Sequence, residues 1–303
     1  MSVKQIVITG GLGFIGRNFA KYLDKKLKNY QIIIFDKSKK KKKEVGIYLK
    51  SKRNNFTIIN GNTIDIEKKL INFTNIKVLF HFGEFSRIVQ SFKHEKECFV
   101  SNTLGTYKVL KFCRDKKIKI IYSASSSKFG NKGKNENLSP YSWTKSKNVE
   151  LIKNFRNWYD LRYEIVYFHN VYGPGHPRSG KLAAVIGIFE GQYLKNKCLT
   201  VVSPGNLRRD FTHIEDIVKG TYLAWKKNLN RDYFLGTGNI HSIIYIAKLF
   251  KHKIEYIPPR VGERFSSNKI NSDTYRILGF RPKVKIKKYI ENFIKKNKLK
   301  NAL

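Results

Sequence analysis

The sequence is poor in cysteine, in acidic residues and in long apolar runs. Among its 303 residues are 3 Cys and 22 Asp or Glu. Cys98, Cys113 and Cys198 are far apart and form no Cys-x-x-Cys pair, which argues against a disulfide framework and a zinc site and suits a reducing cytoplasm. No apolar run approaches the roughly 20 residues of a membrane span, and the first residues lack the apolar stretch of a signal peptide. We expect a cytoplasmic protein that binds neither a metal nor a membrane.

The shortage of acids leaves a large positive charge. The chain has 61 Lys and Arg, a net charge of +39 and a pI near 10.1. Such a chain attracts polyanions, so a basic nucleic-acid-binding protein is one alternative. The lysines are spread along the whole chain, however, and no DNA- or RNA-binding motif occurs. A phosphorylated small ligand suits the charge equally well.

The order of apolar patterns predicts an α/β fold. With 41% apolar residues, the chain can form a sizeable core. Apolar runs at 5–9, 31–35, 56–60, 77–81, 118–123 and 164–169 are typical of buried strands, and helical periodicity covers 14–26, 102–115 and 141–158. Continuous apolar strands separated by helices predict a doubly wound parallel sheet. Because the pattern weakens after residue 172, we predict a large α/β domain over 1–172 and a smaller domain over 173–303, with a return of the chain to the first domain left open.

A glycine-rich turn follows the first predicted strand. Gly10, Gly13 and Gly16 lie between that strand and a helix, where glycines permit a tight turn and the helix N-terminus faces a pyrophosphate. Asp36 ends the second strand, where a carboxylate accepts hydrogen bonds from an adenosine ribose. This carboxylate would repel the 2′-phosphate of NADP, although Lys37 and the lysines after it would offset part of that repulsion. The prediction is an NAD site.

Tyr141 and Lys145 are four residues apart at the start of a predicted helix and therefore share one face. A free tyrosine, with a pKa of about 10, is a poor base at neutral pH. A nearby ammonium and a nicotinamide cation would stabilise the phenolate. Ser125 lies upstream at the carboxyl end of a predicted strand, the edge where open α/β sheets bind ligands. A serine hydroxyl there would hold the substrate oxygen.

With these motifs in place, the chain resembles the extended short-chain dehydrogenase/reductase family of nucleotide-sugar epimerases and dehydratases, and most resembles its UDP-glucose 4-epimerases. The resemblance covers nearly the whole chain. It also includes the segments Asn170-Val171-Tyr172-Gly173-Pro174, Arg209-Asp210-Phe211-Thr212-His213 and Leu278-Gly279-Phe280. It implies a Rossmann domain with a C-terminal substrate domain, and a homodimer formed through helices 102–115 and 141–158.

The resemblance also implies roles for individual residues. Tyr141 would be the base, Lys145 its electrostatic partner and Ser125 the substrate-hydroxyl anchor. The cofactor-binding residues would be Gly10, Gly13, Phe14, Ile15, Gly16, Asp36, Lys37, Asn62, Thr63, Phe82, Gly83, Asn102, Tyr141, Lys145 and Phe168. The substrate-binding residues would be Ser125, Ser126, Tyr141, Asn170, Arg209, Arg260, Glu263 and Ser267.

Departures from the family pattern narrow the predicted reaction. Family members that dehydrate or decarboxylate the sugar have a carboxylate three residues before the glycine numbered Gly130 here, and this chain has Ser127. Asn62 replaces the usual Asp beside the adenine. By the family's spacing, the small Ser267 falls at the gate of the sugar pocket and leaves room for a 2-acetamido group. We predict an NAD-dependent nucleotide-sugar 4-epimerase of the UDP-glucose/UDP-galactose type, with N-acetylhexosamines as further substrates. An NAD(P)-dependent 4-ketosugar reductase is the alternative within the class, and a nucleic-acid-binding protein on an inactive epimerase fold the alternative outside it.

Overall fold

The computed structural model describes residues 3–39, 55–129, 137–262, 265–266 and 273–300. Its centre is a parallel sheet of seven strands in the order β11-β6-β5-β4-β1-β2-β3. These strands are β1 (Lys4–Thr9), β2 (Tyr30–Asp36), β3 (Phe56–Asn60), β4 (Ile76–His81), β5 (Lys119–Ser125), β6 (Tyr163–Phe168) and β11 (Asp232–Leu235). All six predicted strands are present within one or two residues of their predicted bounds, and the predicted α/β fold class is confirmed.

Helices cover both faces of the sheet because its strands alternate between two apolar cores. In β1, Ile6 and Ile8 belong to the core under the helices Phe14–Lys26 and Ile214–Lys227, whereas Val7 belongs to the core under the helices Gly105–Asp115 and Pro140–Tyr159. The helices described in the first part of the chain are α1 (Phe14–Lys26), α2 (Ile66–Lys69), α3 (Ile88–Lys93), α4 (Glu95–Phe99), α5 (Gly105–Asp115) and α6 (Pro140–Tyr159). Two 3-10 turns lie at Thr63–Asp65 and Ser126–Phe129.

The predicted helix 102–115 differs from the structure at its start. A π-helical turn, Val100–Leu104, precedes α5. The Thr103 hydroxyl donates to the Phe99 carbonyl at 2.5 Å, so a side chain competes for a carbonyl of the helical ladder at this point. Where α5 begins, a Cβ on Gly105 would lie 2.4 Å from Thr63 Oγ1. Glycine therefore allows α5 to pack against the 3-10 turn after β3.

The second half of the chain builds a third apolar core, around residues such as Tyr172, Phe189 and Phe250. Its strands form three two-stranded sheets, β7 with β10, β8 with β13 and β9 with β12. The elements are β7 (Val171–Tyr172), α7 (Val185–Leu194), β8 (Leu199–Val202), β9 (Arg208–Asp210), β10 (Thr212–His213), α8 (Ile214–Lys227), β12 (Ile240–Ser242), α9 (Ile243–Leu249), β13 (Ile254–Ile257), α10 (Thr274–Leu278) and α11 (Ile286–Lys300).

The chain returns to the large sheet after residue 173. Strand β11 pairs with β6, and α8 contributes Ile214, Ile217 and Val218 to the core shared with α1. The boundary between residues 172 and 173 stays a prediction. Among the described residues, no helix is long and apolar enough to cross a membrane.

Candidate functional site

The glycine-rich turn lies at the carboxyl edge of the sheet, where β1 meets β4. Gly10 has a positive φ of 64°, and a Cβ there would lie 2.8 Å from the backbone of Gly83. A Cβ on Gly16 would lie 2.2 Å from the Gly10 carbonyl oxygen. The turn thus packs tightly against the residues that follow β4 and against its own helix α1. The N-terminus of a helix in this position is suited to bind a phosphate group. This cradle fits the pyrophosphate of a dinucleotide, with Phe14 and Ile15 opening the helix.

Asp36 lies at the end of β2 with its carboxylate turned toward this cradle. One carboxylate oxygen accepts from the Leu12 amide and the other from the Ser38 amide, both at 2.9 Å. Since an ionised carboxylate offers about four acceptor positions, Asp36 can hold the glycine turn and still accept from a ribose. The predicted ribose site is therefore also a structural support of the turn.

The residues predicted beside the adenine have local partners. Asn62 Oδ1 accepts from the Ile64 amide at 3.4 Å and so caps the 3-10 turn that contains Thr63.

The Lys37 ammonium lies 2.7 Å from a Glu97 carboxylate oxygen, and this hydrogen bond lowers the pKa of the Glu97 carboxyl. Lys37 thus has an exposed acidic partner that the sequence analysis did not consider.

The helix that carries Tyr141 and Lys145 begins where its sequence predicts. Ser139 caps α6 by accepting from the Ser142 amide at 3.1 Å, and Pro140 occupies the first turn. Lys145 is 5% exposed, and its ammonium donates to the Ser123 carbonyl at 2.5 Å. The structure therefore joins the predicted lysine directly to the end of β5.

The serines after β5 form a turn with no carboxylate. Ser125 Oγ accepts from the Ser127 amide at 3.2 Å, and Ser126 is buried. Ser127 Oγ is buried without a hydrogen-bond partner among the described residues. An orphaned buried hydroxyl is costly unless a ligand or water satisfies it, so this turn is suited to contact a substrate hydroxyl.

Asn102 links the predicted cofactor edge to α6. Its side chain donates to Thr144 Oγ1 at 3.0 Å and accepts from the Phe85 amide at 2.7 Å. Phe82 and Phe168 lie on the same edge with ring centroids 6.1 Å apart. Of the predicted cofactor-binding residues, the structure thus brings the rings of Phe82 and Phe168 into contact.

Two charged side chains at this edge were not predicted as functional residues. Glu84 accepts a hydrogen bond from the Lys145 ammonium. Arg87 donates to the carbonyls of Ser86 and Leu182. Burial lowers the pKa of the Arg87 guanidinium, whereas a nearby Tyr141 phenolate would raise it. The only sequence signal for either residue was its position soon after β4.

The other predicted substrate-binding residues lie in the second half of the chain, and the structure describes only some of them. Asn170, with a positive φ of 25°, donates to the Asp210 carbonyl at 2.8 Å. Arg209 donates to the Phe265 carbonyl at 3.3 Å, and Arg260 is exposed. Glu263 and Ser267 lie outside the described residues. The roles of all these residues stay predictions.

Comparison with known proteins identifies the family. The family model described as the NAD-dependent epimerase/dehydratase family matches residues 6–236. The chain belongs to this family. NAD is accordingly its cofactor, as predicted.

Relatives of this NAD-dependent family member span its whole length. A protein of Methanocaldococcus jannaschii named "Putative UDP-glucose 4-epimerase" is 30% identical over 318 residues, covering 97% of this chain and 99% of the relative. Among solved structures, UDP-glucose 4-epimerase from Thermotoga maritima has a TM-score of 0.85 at 23% identity and covers 99% and 100% of the two chains. UDP-N-acetylglucosamine 4-epimerase from Methanobrevibacter ruminantium has a TM-score of 0.83 at 24% identity and covers 100% and 99%. The main functional prediction agrees with these relatives.

Proposed function

We propose that the protein is a UDP-sugar 4-epimerase that interconverts the two configurations at C4 of a hexose. The observation that carries this proposal is the hydrogen bond from Lys145, one helical turn after Tyr141 on α6, to the Ser123 carbonyl of β5, the strand that ends at Ser125 and leads into a serine turn that holds no acid. The relative and structural neighbours reported above are named as 4-epimerases of UDP-sugars. Their substrate class suits a chain with a strongly positive charge.

The side chains at this edge of the sheet have separate roles in a reversible oxidation of the sugar at C4. Bound NAD would supply a reversible acceptor for the hydride on C4 of the sugar. Ser125 holds the 4-hydroxyl, Tyr141 removes its proton, and Lys145 stabilises the phenolate that forms. After the sugar has turned in the pocket, Tyr141 returns the proton to the same oxygen. No net oxidation occurs, so the cofactor need not leave between turnovers.

The serine turn separates epimerisation from dehydration. Elimination of water from the sugar needs an additional group that transfers a proton, and Ser126–Phe129 supplies none. Glu84 is a carboxylate beside Lys145, but it already accepts hydrogen bonds from the Lys145 ammonium and from three further donors. A carboxylate held in this way is a poor proton carrier.

The deciding experiment incubates purified protein with UDP-glucose, UDP-galactose and UDP-N-acetylglucosamine and follows the C4 configuration by NMR. We expect interconversion without added NADH. A product that appears only when a 4-ketosugar and NAD(P)H are supplied would instead identify the reductase. Turnover of UDP-N-acetylglucosamine tests the prediction that the small Ser267 leaves room in the sugar pocket for a 2-acetamido group.

Asp36 provides a test of the cofactor site. We expect Asp36→Ala to weaken NAD binding roughly tenfold and to narrow the preference over NADP, because it removes both the ribose acceptor and the support of the Leu12 amide. Calorimetric titration with each cofactor measures both effects. Asp65→Ala, which removes an exposed acid near the same edge, is the matched control and should bind like the wild type. A wild type that already prefers NADP would contradict the assignment.

We also propose a homodimer in a reducing cytoplasm. The surface of the π-helical turn, α5 and α6 carries exposed apolar side chains, namely Leu104, Tyr107, Trp143, Trp158 and Tyr159. Rings on the two helices are in contact across this surface, as between Tyr107 and Phe155 at 6.4 Å. An apolar surface of this kind on two adjacent helices is suited to burial against its own copy. All three cysteines are free.

Two tyrosines of nearly equal exposure test the dimer. Tyr107 on α5 is 42% exposed, and Tyr245 on α9 is 40% exposed. We expect Tyr107→Glu to yield a monomer, since a carboxylate would be buried in the interface without a partner, whereas Tyr245→Glu should keep the wild-type mass. Sedimentation equilibrium measures both. Equal behaviour of the two variants would place the interface elsewhere.

A further inference from the structure

A buried carboxylate lies beside Lys145. The Glu84 side chain is 2% exposed, and its Oε2 accepts from the Lys145 ammonium. Its Oε1 accepts from the Thr106 hydroxyl at 2.9 Å, the Tyr122 hydroxyl at 3.0 Å and the Asn148 amide at 2.8 Å. These four donors come from α5, β5 and α6. Together they fix the carboxylate in one place, as a buried charge requires.

A chain of hydrogen bonds runs from Thr9 through His81 and Thr106 to Glu84, and the donor and acceptor of each bond can be assigned. Thr106 Oγ1 lies 3.0 Å from His81 Nε2, and His81 Nδ1 lies 2.7 Å from Thr9 Oγ1. Burial lowers the pKa of His81 to about 4, against the opposing pull of Glu84, so the ring is neutral. Because the Thr106 hydroxyl donates to Glu84, it accepts from His81 Nε2–H, and Nδ1 accepts from Thr9. This chain of hydrogen bonds is therefore uncharged and ends at the Glu84 carboxylate, which faces the Lys145 ammonium.

The Lys145 ammonium is held on several sides. It has three N–H groups; one donates to Glu84 and another to the Ser123 carbonyl. Nζ also lies 4.7 Å from the centre of the Tyr122 ring, a favourable arrangement for a cation. Among the described residues, no hydrogen-bond acceptor contacts the third N–H. Glu84 and the Ser123 carbonyl together determine where the ammonium lies and in which direction its third N–H points.

We propose that Glu84 is a positioning residue that fixes the Lys145 ammonium and weakens its effect on the Tyr141 oxygen. This inference rests on the proposed function, in which Tyr141 is the base. An ammonium paired with a carboxylate stabilises a nearby phenolate less than an unpaired ammonium does. The phenolate is accordingly a stronger base toward the sugar hydroxyl. The charges that act on the Tyr141 oxygen are thus the Lys145 ammonium with its Glu84 partner and the Arg87 guanidinium, and a substitution of Glu84 leaves Arg87 in place.

The ionisation of Tyr141 can be measured without turnover. The chain has 17 tyrosines, so the protein is labelled with tyrosine carrying 13C at Cζ, and the Tyr141 resonance is assigned by its loss in Tyr141→Phe. In Glu84→Gln we expect the Tyr141 resonance to titrate about one pH unit lower than in the wild type, because the ammonium acts unopposed. The acidic limb of the kcat/KM profile should move in the same direction. If the Tyr141 resonance of Glu84→Gln titrates at the wild-type pH or at a higher pH, the proposal is overturned.

Two further variants separate charge from position. Glu84→Asp keeps the charge on a shorter side chain, so its Tyr141 titration should stay close to that of the wild type while kcat falls about tenfold at an unchanged KM for the sugar. Tyr122→Phe removes a different donor from the same carboxylate and should leave the titration in place. If Glu84→Gln fails to fold, Glu84→Asp decides: a wild-type kcat overturns the proposal. The NMR titration is independent of turnover, so its failure is distinguishable from a failure of the proposed function, in which Tyr141→Phe would retain epimerisation.

Discussion

Tyr141→Phe should abolish epimerisation, lowering kcat about a thousandfold or more, while NAD binds nearly as in the wild type. The substitution removes one oxygen from a ring on a helix whose start is fixed by the Ser139 cap and Pro140. The fold and the glycine cradle keep all their contacts. NMR assay of UDP-glucose turnover and calorimetric titration with NAD measure the two effects separately.

A second tyrosine of the same helix is the control for this experiment. Tyr159 lies in the last turn of α6 with its ring exposed. Tyr159→Phe removes the same atom at the far end of the helix and should leave turnover unchanged. Turnover of Tyr141→Phe within tenfold of the wild type would exclude Tyr141 as the base.

Gly16→Ala should be the most damaging substitution in the cofactor cradle. The added Cβ would lie 2.2 Å from the Gly10 carbonyl oxygen and 2.7 Å from Gly11 Cα, both of them backbone atoms. The turn can accept a methyl group only by moving away from α1, at a cost of roughly 2 kcal/mol. We therefore expect a lower free energy of unfolding without cofactor and a loss of NAD affinity of about a hundredfold.

Gly13→Ala provides the matched comparison within the same motif. Its Cβ would lie 3.1 Å from the Gly10 carbonyl oxygen, with no closer contact. The free energy of unfolding of the cofactor-free protein should change by less than about 1 kcal/mol, because a small movement relieves this contact. Urea unfolding of both variants tests the difference. Equal destabilisation would show that the approach of Gly16 to Gly10 is not what closes the turn.

Local patterns were sufficient to predict the sheet and part of the site. The strands were predictable because each is a short apolar run, and the glycine turn because its residues are close in sequence. Tyr141 and Lys145 were predictable for the same reason, since helical geometry alone brings residues four apart together.

Glu84 could not be predicted because its environment is assembled from distant segments. Its partners Thr106, Tyr122 and Asn148 lie 22, 38 and 64 residues further along the chain. In the sequence, an acid two residues after Phe82 is indistinguishable from an acid in a solvated loop. The pairing of Lys37 with Glu97, 60 residues away, was missed for the same reason. Burial and ion pairing across such separations are properties of the folded sheet.

The return of the chain to the large sheet has a consequence for synthesis on the ribosome. The core under α1 includes Ile214, Tyr233 and Leu235, and also Leu278 and Phe280 near the carboxyl end. A nascent chain that ends at residue 172 holds the whole glycine cradle and the Tyr141–Lys145 helix, yet α1 is the one described helix it has to cover this side of its sheet. The rest of that apolar side can be covered only after the segment through Phe280 has emerged, and until then it is a surface for chaperones and for aggregation.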